Sequence, residues 1–238
     1  MRCPECARQT AKVRRMPAAG SAGDVPRVSV TLIVLCVIAF LASGSFGATG
    51  AHGALFDDGA LFGPAVEAGD YYRLVTAGFL HAGLLHIAFN MYLLYLLGKE
   101  LEPEIGSARF LALYLSSLLA GSFGALLFEP AALTVGASGA VYGLMGAAAA
   151  ILYSRGINPL QTSIGSLIIF NLVLSFVIPN VSVGGHIGGL VGGAIAGFAF
   201  SRGERRGEQW LGWAACVGVA AASVAGAIAV SGGSGLGI

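Results

Sequence analysis

Charge is what this sequence has least of. Only 11% of its 238 residues are charged, 13 Lys and Arg against 12 Asp and Glu, while 56% are hydrophobic. An average soluble domain carries about 25% charge. So few charged groups cannot cover a chain of this length unless most of its surface faces lipid, which excludes an ordinary soluble protein. A net charge of +1 leaves no electrostatic footprint for nucleic acid or for an acidic partner. Cysteine is scarce as well: Cys3 and Cys6 form one C-x-x-C, and Cys36 and Cys216 lie in apolar segments far apart in the chain, so no disulfide framework is expected. A closed structural zinc site needs four ligands, and this C-x-x-C offers two, so no metal and no other cofactor is expected. The basic N-terminal tail is not closely followed by a short apolar run ending in a small-residue cleavage site, so a cleaved signal peptide is not expected.

What is abundant is apolar runs. Stretches approaching the roughly 20 residues that span hydrocarbon fall at about 28–44, 79–98, 108–128, 137–154, 162–178, 183–201 and 210–230. They predict an all-α polytopic membrane protein of seven helices. Its regions are a basic tail over 1–27, a six-helix core over 28–201, and a loop, seventh helix and short tail over 202–238. With these spans Arg2, Arg8, Lys12, Arg14, Arg15, Arg27, Lys99, Arg109, Arg155, Arg202, Arg205 and Arg206 all fall on one side, and only Arg73 on the other. The positive-inside rule then puts the N-terminus in the cytoplasm, and the basic tail is expected to meet anionic lipid headgroups. The long connection 45–78 mixes apolar residues with acids and is expected to pack at the outer membrane surface.

Polar side chains inside such spans are costly, so each is a functional candidate. His81, His86 and Asn90 fall in the second span, Ser138 and Tyr142 in the fourth, and His186 in the sixth. The topology places all of them in the outer parts of their helices, where they can share one cavity open to water. His86 and Asn90 lie on one helix face, as do Ser138 and Tyr142. Gly136 and Gly139 bracket the serine and permit the close backbone approach that an oxyanion hole needs. The G-x-S-G pattern is cheap in a chain with 37 glycines, and a second copy occurs at Gly232–Gly235. Gly185, Gly189, Gly193 and Gly197 make a smooth stripe beside His186 that permits tight helix contact.

The combination resembles the rhomboid family of intramembrane serine proteases: Tyr72-Arg73 where the family has Trp-Arg, then H-x4-H-x3-N from His81, then G-x-S-G with Tyr142 four residues after the serine, then the glycine-rich GHIGG around His186. The resemblance implies Ser138 as nucleophile and His186 as general base, with Tyr142 stacked on the imidazole. It implies an oxyanion hole of the Ser138 amide, His86 and Asn90, with Gly136 shaping the turn, and structural roles for His81, Arg73 and Glu102, the last placed after helix two. It also implies transmembrane proteins as substrates, an active site opening to the extracytoplasmic side of the cell membrane, and lateral entry gated by helix five and the loop from Pro179 to Gly184.

Blander readings stand beside these. A serine in a membrane helix commonly bonds its own backbone, Asn90 could join helices, and His81 fits a structural role better than a catalytic one. Two other functions remain open: a catalytically silent relative that binds transmembrane helices, and a small transporter using the His, Asn and Ser cluster as a polar pathway.

Overall fold

The computed structural model describes residues 25–44 and 53–233. Most of the basic tail with Cys3 and Cys6, and the serine of the second G-x-S-G copy, lie outside them. The described chain is helical, as a backbone in lipid must be when no water is present to pair its amides. In order run α1 (Arg27–Ser43), α2 (Ala54–Gly59), α3 (Gly63–Glu67), α4 (Arg73–Thr76), α5 (Leu84–Ile105), α6 (Ser107–Phe128), α7 (Ser138–Ser154), α8 (Ser163–Val177), α9 (Val183–Arg206) and α10 (Trp210–Val230). Among the described residues three helices, α6, α9 and α10, are long and apolar enough to cross a membrane. The segment Arg73–Phe79 with α5 makes a fourth if that pair, bent by 94°, is one span, and α1, α7 and α8 are shorter apolar helices.

α8 shows what its surroundings must be. Its buried residues are Gly165, Asn171 and Ser175, whereas Ile169, Phe170, Val173, Phe176 and Val177 are exposed. In water this would be an inverted helix; in lipid the apolar face outward and polar face inward is the stable choice.

The second span differs from its sequence expectation at both ends. The apolar run at 79–98 predicts a helix containing His81, but α5 starts at Leu84, and His81 sits in the link that follows a short 3-10 turn, Ala77–Phe79. At the other end α5 continues to Ile105, so Glu102 lies inside the helix and not after it. Hydropathy falls at Lys99 and Glu100, yet helix formation does not require apolar residues, and Glu102 has work at this position. Its buried carboxylate accepts the N–H groups of Val28 and Ser29, both at 2.9 Å, and the hydroxyls of Ser29 and Ser107, both at 2.7 Å. It thereby caps the first turn of α1, whose amides have no helical partner. Glu102→Ala strands these donors, and we expect it to lower stability in mild detergent by about 3 kcal/mol, read as a drop in the unfolding midpoint. An unchanged midpoint would count against the capping role.

From residue 53 onward the connection between α1 and α5 is a folded structure. Arg73, 8% exposed, donates from Nη1 to the carbonyls of Asp57 (2.7 Å) and Ala60 (2.8 Å) and from Nε to the Asp70 carboxylate (3.1 Å). Thr76 and Ser122 hydroxyls donate to the carbonyls of Gly59 and Leu74, each at 2.8 Å. Leu61, Val66, Leu74 and Ala77 pack with Ala125 and Leu126 of α6 and Ala227 of α10. Leu61 and Thr134 form an antiparallel bridge, with N–H to carbonyl distances of 3.0 and 2.9 Å. The loop is thus tied to the segment that leads into α7.

α9 is the packing hub. Its glycines come in pairs every four residues, and from Gly188 onward the two members of each pair face different neighbours, while Gly184 and Gly185 both lie against α6. A Cβ on Gly189 or Gly193 would collide with the backbone of Gly139 or Gly143 in α7, and one on Gly197 would meet Ala147. A Cβ on Gly184, Gly188 or Gly192 would strike Gly124 or Ala120 in α6. Of the stripe expected from Gly185 to Gly197, Gly189, Gly193 and Gly197 face α7, Gly185 lies against Ser182 and against Gly121 of α6, and a second stripe faces α6. Without a hydrophobic driving force between helices in lipid, such backbone contact is a main source of helix association.

Candidate active site

Ser138 is the first residue of α7, and the chain reaches it through Gly136 at φ +126°, a backbone region that favours glycine. The Gly136 N–H donates to the Ala77 carbonyl at 2.9 Å, which ties this turn to the link before α5. Of the 17 residues of α7 the helix makes about 26 Å, short of the about 30 Å hydrocarbon core, so a serine at its end can lie below the membrane surface. Ser138 is half-buried.

The hydroxyls of Ser43, Ser116, Ser175 and Ser231 all bond to a carbonyl three or four residues back. Ser138 does not: among the described residues no group is in hydrogen-bonding geometry with its Oγ. This removes the blander reading of that serine and leaves the hydroxyl uncommitted. The first amides of α7 have no carbonyl to bond within the helix and carry its positive dipole end, a natural place for developing negative charge.

His86 borders the same space. A Cβ placed on Gly136 would lie 2.8 Å from His86 Nε2 and 3.7 Å from Ser138 Oγ, so Gly136 leaves room for the imidazole beside the serine. His86 Nδ1 accepts the Ala82 N–H at 3.4 Å, and this assigns the ring proton to Nε2. Asn90, buried, donates from Nδ2 to the His86 carbonyl at 2.9 Å, which uses one of its two amide protons. His81 is fully buried, its ring edge-on to His86 at 5.1 Å.

His186 lies in the first turn of α9. The Ser182 hydroxyl accepts the Gly185 N–H at 3.1 Å and caps that turn, and Asn180 at φ 61° makes the bend from α8. The imidazole is 8% exposed and stacks on Tyr142 with centroids 4.1 Å apart and planes 15° from parallel. Its Nδ1 contacts Ser175 Oγ at 2.7 Å, so Nε2 is the nitrogen left for chemistry. The Gly189–Gly139 contact places the helices of Ser138 and His186 backbone to backbone. Among the described residues Ser138 and His186 share no hydrogen bond, and it is the backbone contact of their helices that brings them near one another. The structure thus gathers Ser138, His86 and Gly136 on one side and His186 with Tyr142 on the other, with Asn90 one turn along α5 and bonded to the His86 carbonyl. Arg73 and Glu102 hold the loop and α1, away from this cluster. Ser175 is the residue the sequence reading passes over, although Asn171 and Ser175, four apart in an apolar helix, carry the signal.

A family model described as the rhomboid domain matches residues 68–203. The chain is 33% identical over 176 residues to rhomboid protease GluP of Bacillus subtilis (strain 168), covering 73% of this chain and 34% of that protein. It is 33% identical over 123 residues to rhomboid-like protease 3 of Toxoplasma gondii, covering 52% and 46% of the two chains. With RHOMBOID-like protein 5 of Arabidopsis thaliana it shares 38% over 136 residues, 54% and 43% of the two chains. The chain spans less than half the length of each of these relatives.

Proposed function

The chain belongs to the rhomboid family, and from that premise we propose that it is an intramembrane serine endopeptidase that cuts transmembrane segments of other membrane proteins with Ser138 and His186. The observation that carries the reading is the contrast between the two sides of the site: an uncommitted serine hydroxyl at a helix N-terminus, and an imidazole fixed by stacking on Tyr142 and by a bond at Nδ1. In the reaction Ser138 Oγ attacks the scissile carbonyl as its proton passes to His186 Nε2. The oxyanion is held by the Ser138 N–H, by His86 Nε2–H and by the second amide proton of Asn90. His186 then returns the proton to the leaving amine, and water hydrolyses the acyl-enzyme with His186 again as base.

Charge placement supports an active site facing the extracytoplasmic side of the cell membrane. Arg109 pairs with Glu204 at 2.6 Å, and Arg155 pairs with Glu104, so these cations gather at the helix ends opposite Ser138, which the positive-inside rule assigns to the cytoplasm.

Purified protein in detergent, incubated with a model transmembrane substrate and separately with a fluorophosphonate probe, tests the proposal. Cleavage and labelling at Ser138 are expected. A protein that binds the substrate helix but neither cleaves nor labels would instead be the silent binder of transmembrane helices. Asn90→Ala removes one of three oxyanion donors and is expected to lower kcat by about 10²-fold with KM little changed. Loss of fold in that variant would assign Asn90 to helix packing instead.

A further inference from the structure

Ser175, on α8 and 4% exposed, stands at the meeting point of three hydrogen bonds. Its Oγ lies 2.8 Å from the Asn171 carbonyl, 2.8 Å from the Tyr142 hydroxyl and 2.7 Å from His186 Nδ1. A hydroxyl has one proton to give and two lone pairs to fill. The Asn171 carbonyl can only accept, and two oxygens 2.8 Å apart without a proton between them repel, so the Ser175 proton goes to Asn171. Both other contacts must then point toward Ser175: Tyr142 donates its O–H, and His186 donates from Nδ1. The imidazole is thereby assigned the Nδ1–H tautomer, with its lone pair on Nε2. The contact of His86 Nδ1 with the Ala82 amide fixes the opposite tautomer on that ring. One histidine is thus set to accept a proton at Nε2 and the other to donate one.

We infer that Ser175 is a positioning residue for His186: by accepting the Nδ1–H bond it holds the imidazole in the one tautomer and orientation in which Nε2 can take the Ser138 proton. This rests on the dyad proposed above and adds a neutral partner where a charged acid serves in a three-residue site. A neutral partner suits a buried site, because a carboxylate there would carry a large desolvation cost. When His186 becomes an imidazolium, the same bond becomes charge-assisted and shorter, so it strengthens as the reaction proceeds. Ser175 also lines a cavity of about 260 Å³ with Ser182, Gly184 and Phe176. In Ser175→Ala a water from that cavity can replace part of the hydroxyl's role, which keeps the expected loss moderate.

Ser175→Ala is expected to lower kcat by about 10- to 100-fold with KM nearly unchanged, and Ser175→Thr, which keeps the hydroxyl, to recover most of that loss. Nitrogen-15 spectra of histidine-labelled protein in micelles give a reading independent of activity. Wild type should show His186 as the Nδ1–H tautomer, and Ser175→Ala should show mixed tautomers. The inference is overturned if wild-type His186 carries its proton on Nε2, or if Ser175→Ala keeps the wild-type kcat. It is also overturned if the Ala and Thr variants lose kcat equally with an unchanged nitrogen pattern, since Ser175 would then only fill space. Wild-type protein that neither cleaves nor labels would count against the protease proposal, while the tautomer measurement would still decide the role of Ser175.

Discussion

Ser138→Ala is expected to reduce kcat for a transmembrane substrate by about 10⁴- to 10⁶-fold and to abolish fluorophosphonate labelling, and His186→Ala to do nearly the same. In the proposed mechanism, removing the serine removes the nucleophile that forms the acyl bond. Removing the histidine leaves a serine with no base, because His86, the other imidazole beside Ser138, has its Nδ1 engaged by Ala82 and presents a proton at Nε2. In the proposed mechanism the two residues act on one proton, so the double variant should be scarcely slower than either single one. Ser138→Ala should keep the unfolding midpoint in detergent close to wild type, whereas His186→Ala also removes the stack on Tyr142 and the bond to Ser175 and is expected to lower stability by about 1–3 kcal/mol. Substantial cleavage surviving either substitution would refute the dyad, and effects that multiply in the double variant would show that the two residues act in separate steps.

Gly189→Ala carries the second large effect, through packing. The added methyl would collide with the Gly139 carbonyl, which belongs to the residue next to Ser138, and neither backbone can rotate away as a side chain could. α7 and α9 must separate, at a cost of about 1–3 kcal/mol. Because Ser138 and His186 ride on those two helices, a displacement near 1 Å also lowers kcat by about 10²-fold. Gly218→Ala on α10 provides the contrast: nothing lies within 4 Å of a Cβ there, and replacing a helical glycine should raise stability by up to about 1 kcal/mol. A Gly189→Ala protein with the wild-type midpoint and rate would refute the backbone-contact account.

Much of this arrangement is legible in the sequence because lipid makes hydropathy and helix nearly coincide. The run at 210–230 and the helix Trp210–Val230 agree, and the run at 162–178 lies within a residue at each end of Ser163–Val177. Agreement fails where the two quantities separate, as at Lys99 to Ile105, which is polar yet helical because Glu102 must reach the start of α1. The elements α2, α3 and α4 have 6, 5 and 4 residues, too few for a periodic signal, and they are held by Arg73 and by tertiary contacts. In the site, Ser138, His86, Asn90 and His186 stand out as polar residues in apolar runs. Ser175 escapes because a membrane serine ordinarily bonds its own helix, and it does so here as well; only the second and third contacts of the same oxygen distinguish it. The paired glycines of α9 are readable as one stripe, but the offset of one residue that turns the second stripe toward α6 emerges only when both neighbours are in place.

The order of the elements along the chain also matters during synthesis. Ser138 leaves the ribosome two apolar helices before His186, with Ser175 on the helix between them. At about 5–20 residues per second the nascent chain spends several seconds in the membrane carrying a serine with no base. The glycine faces of α9 pack on α6 and α7, so the site is completed only when that helix docks. On this reading a proteolytic centre stays inert beside the other unfinished membrane helices around it until α9 has been made and has docked.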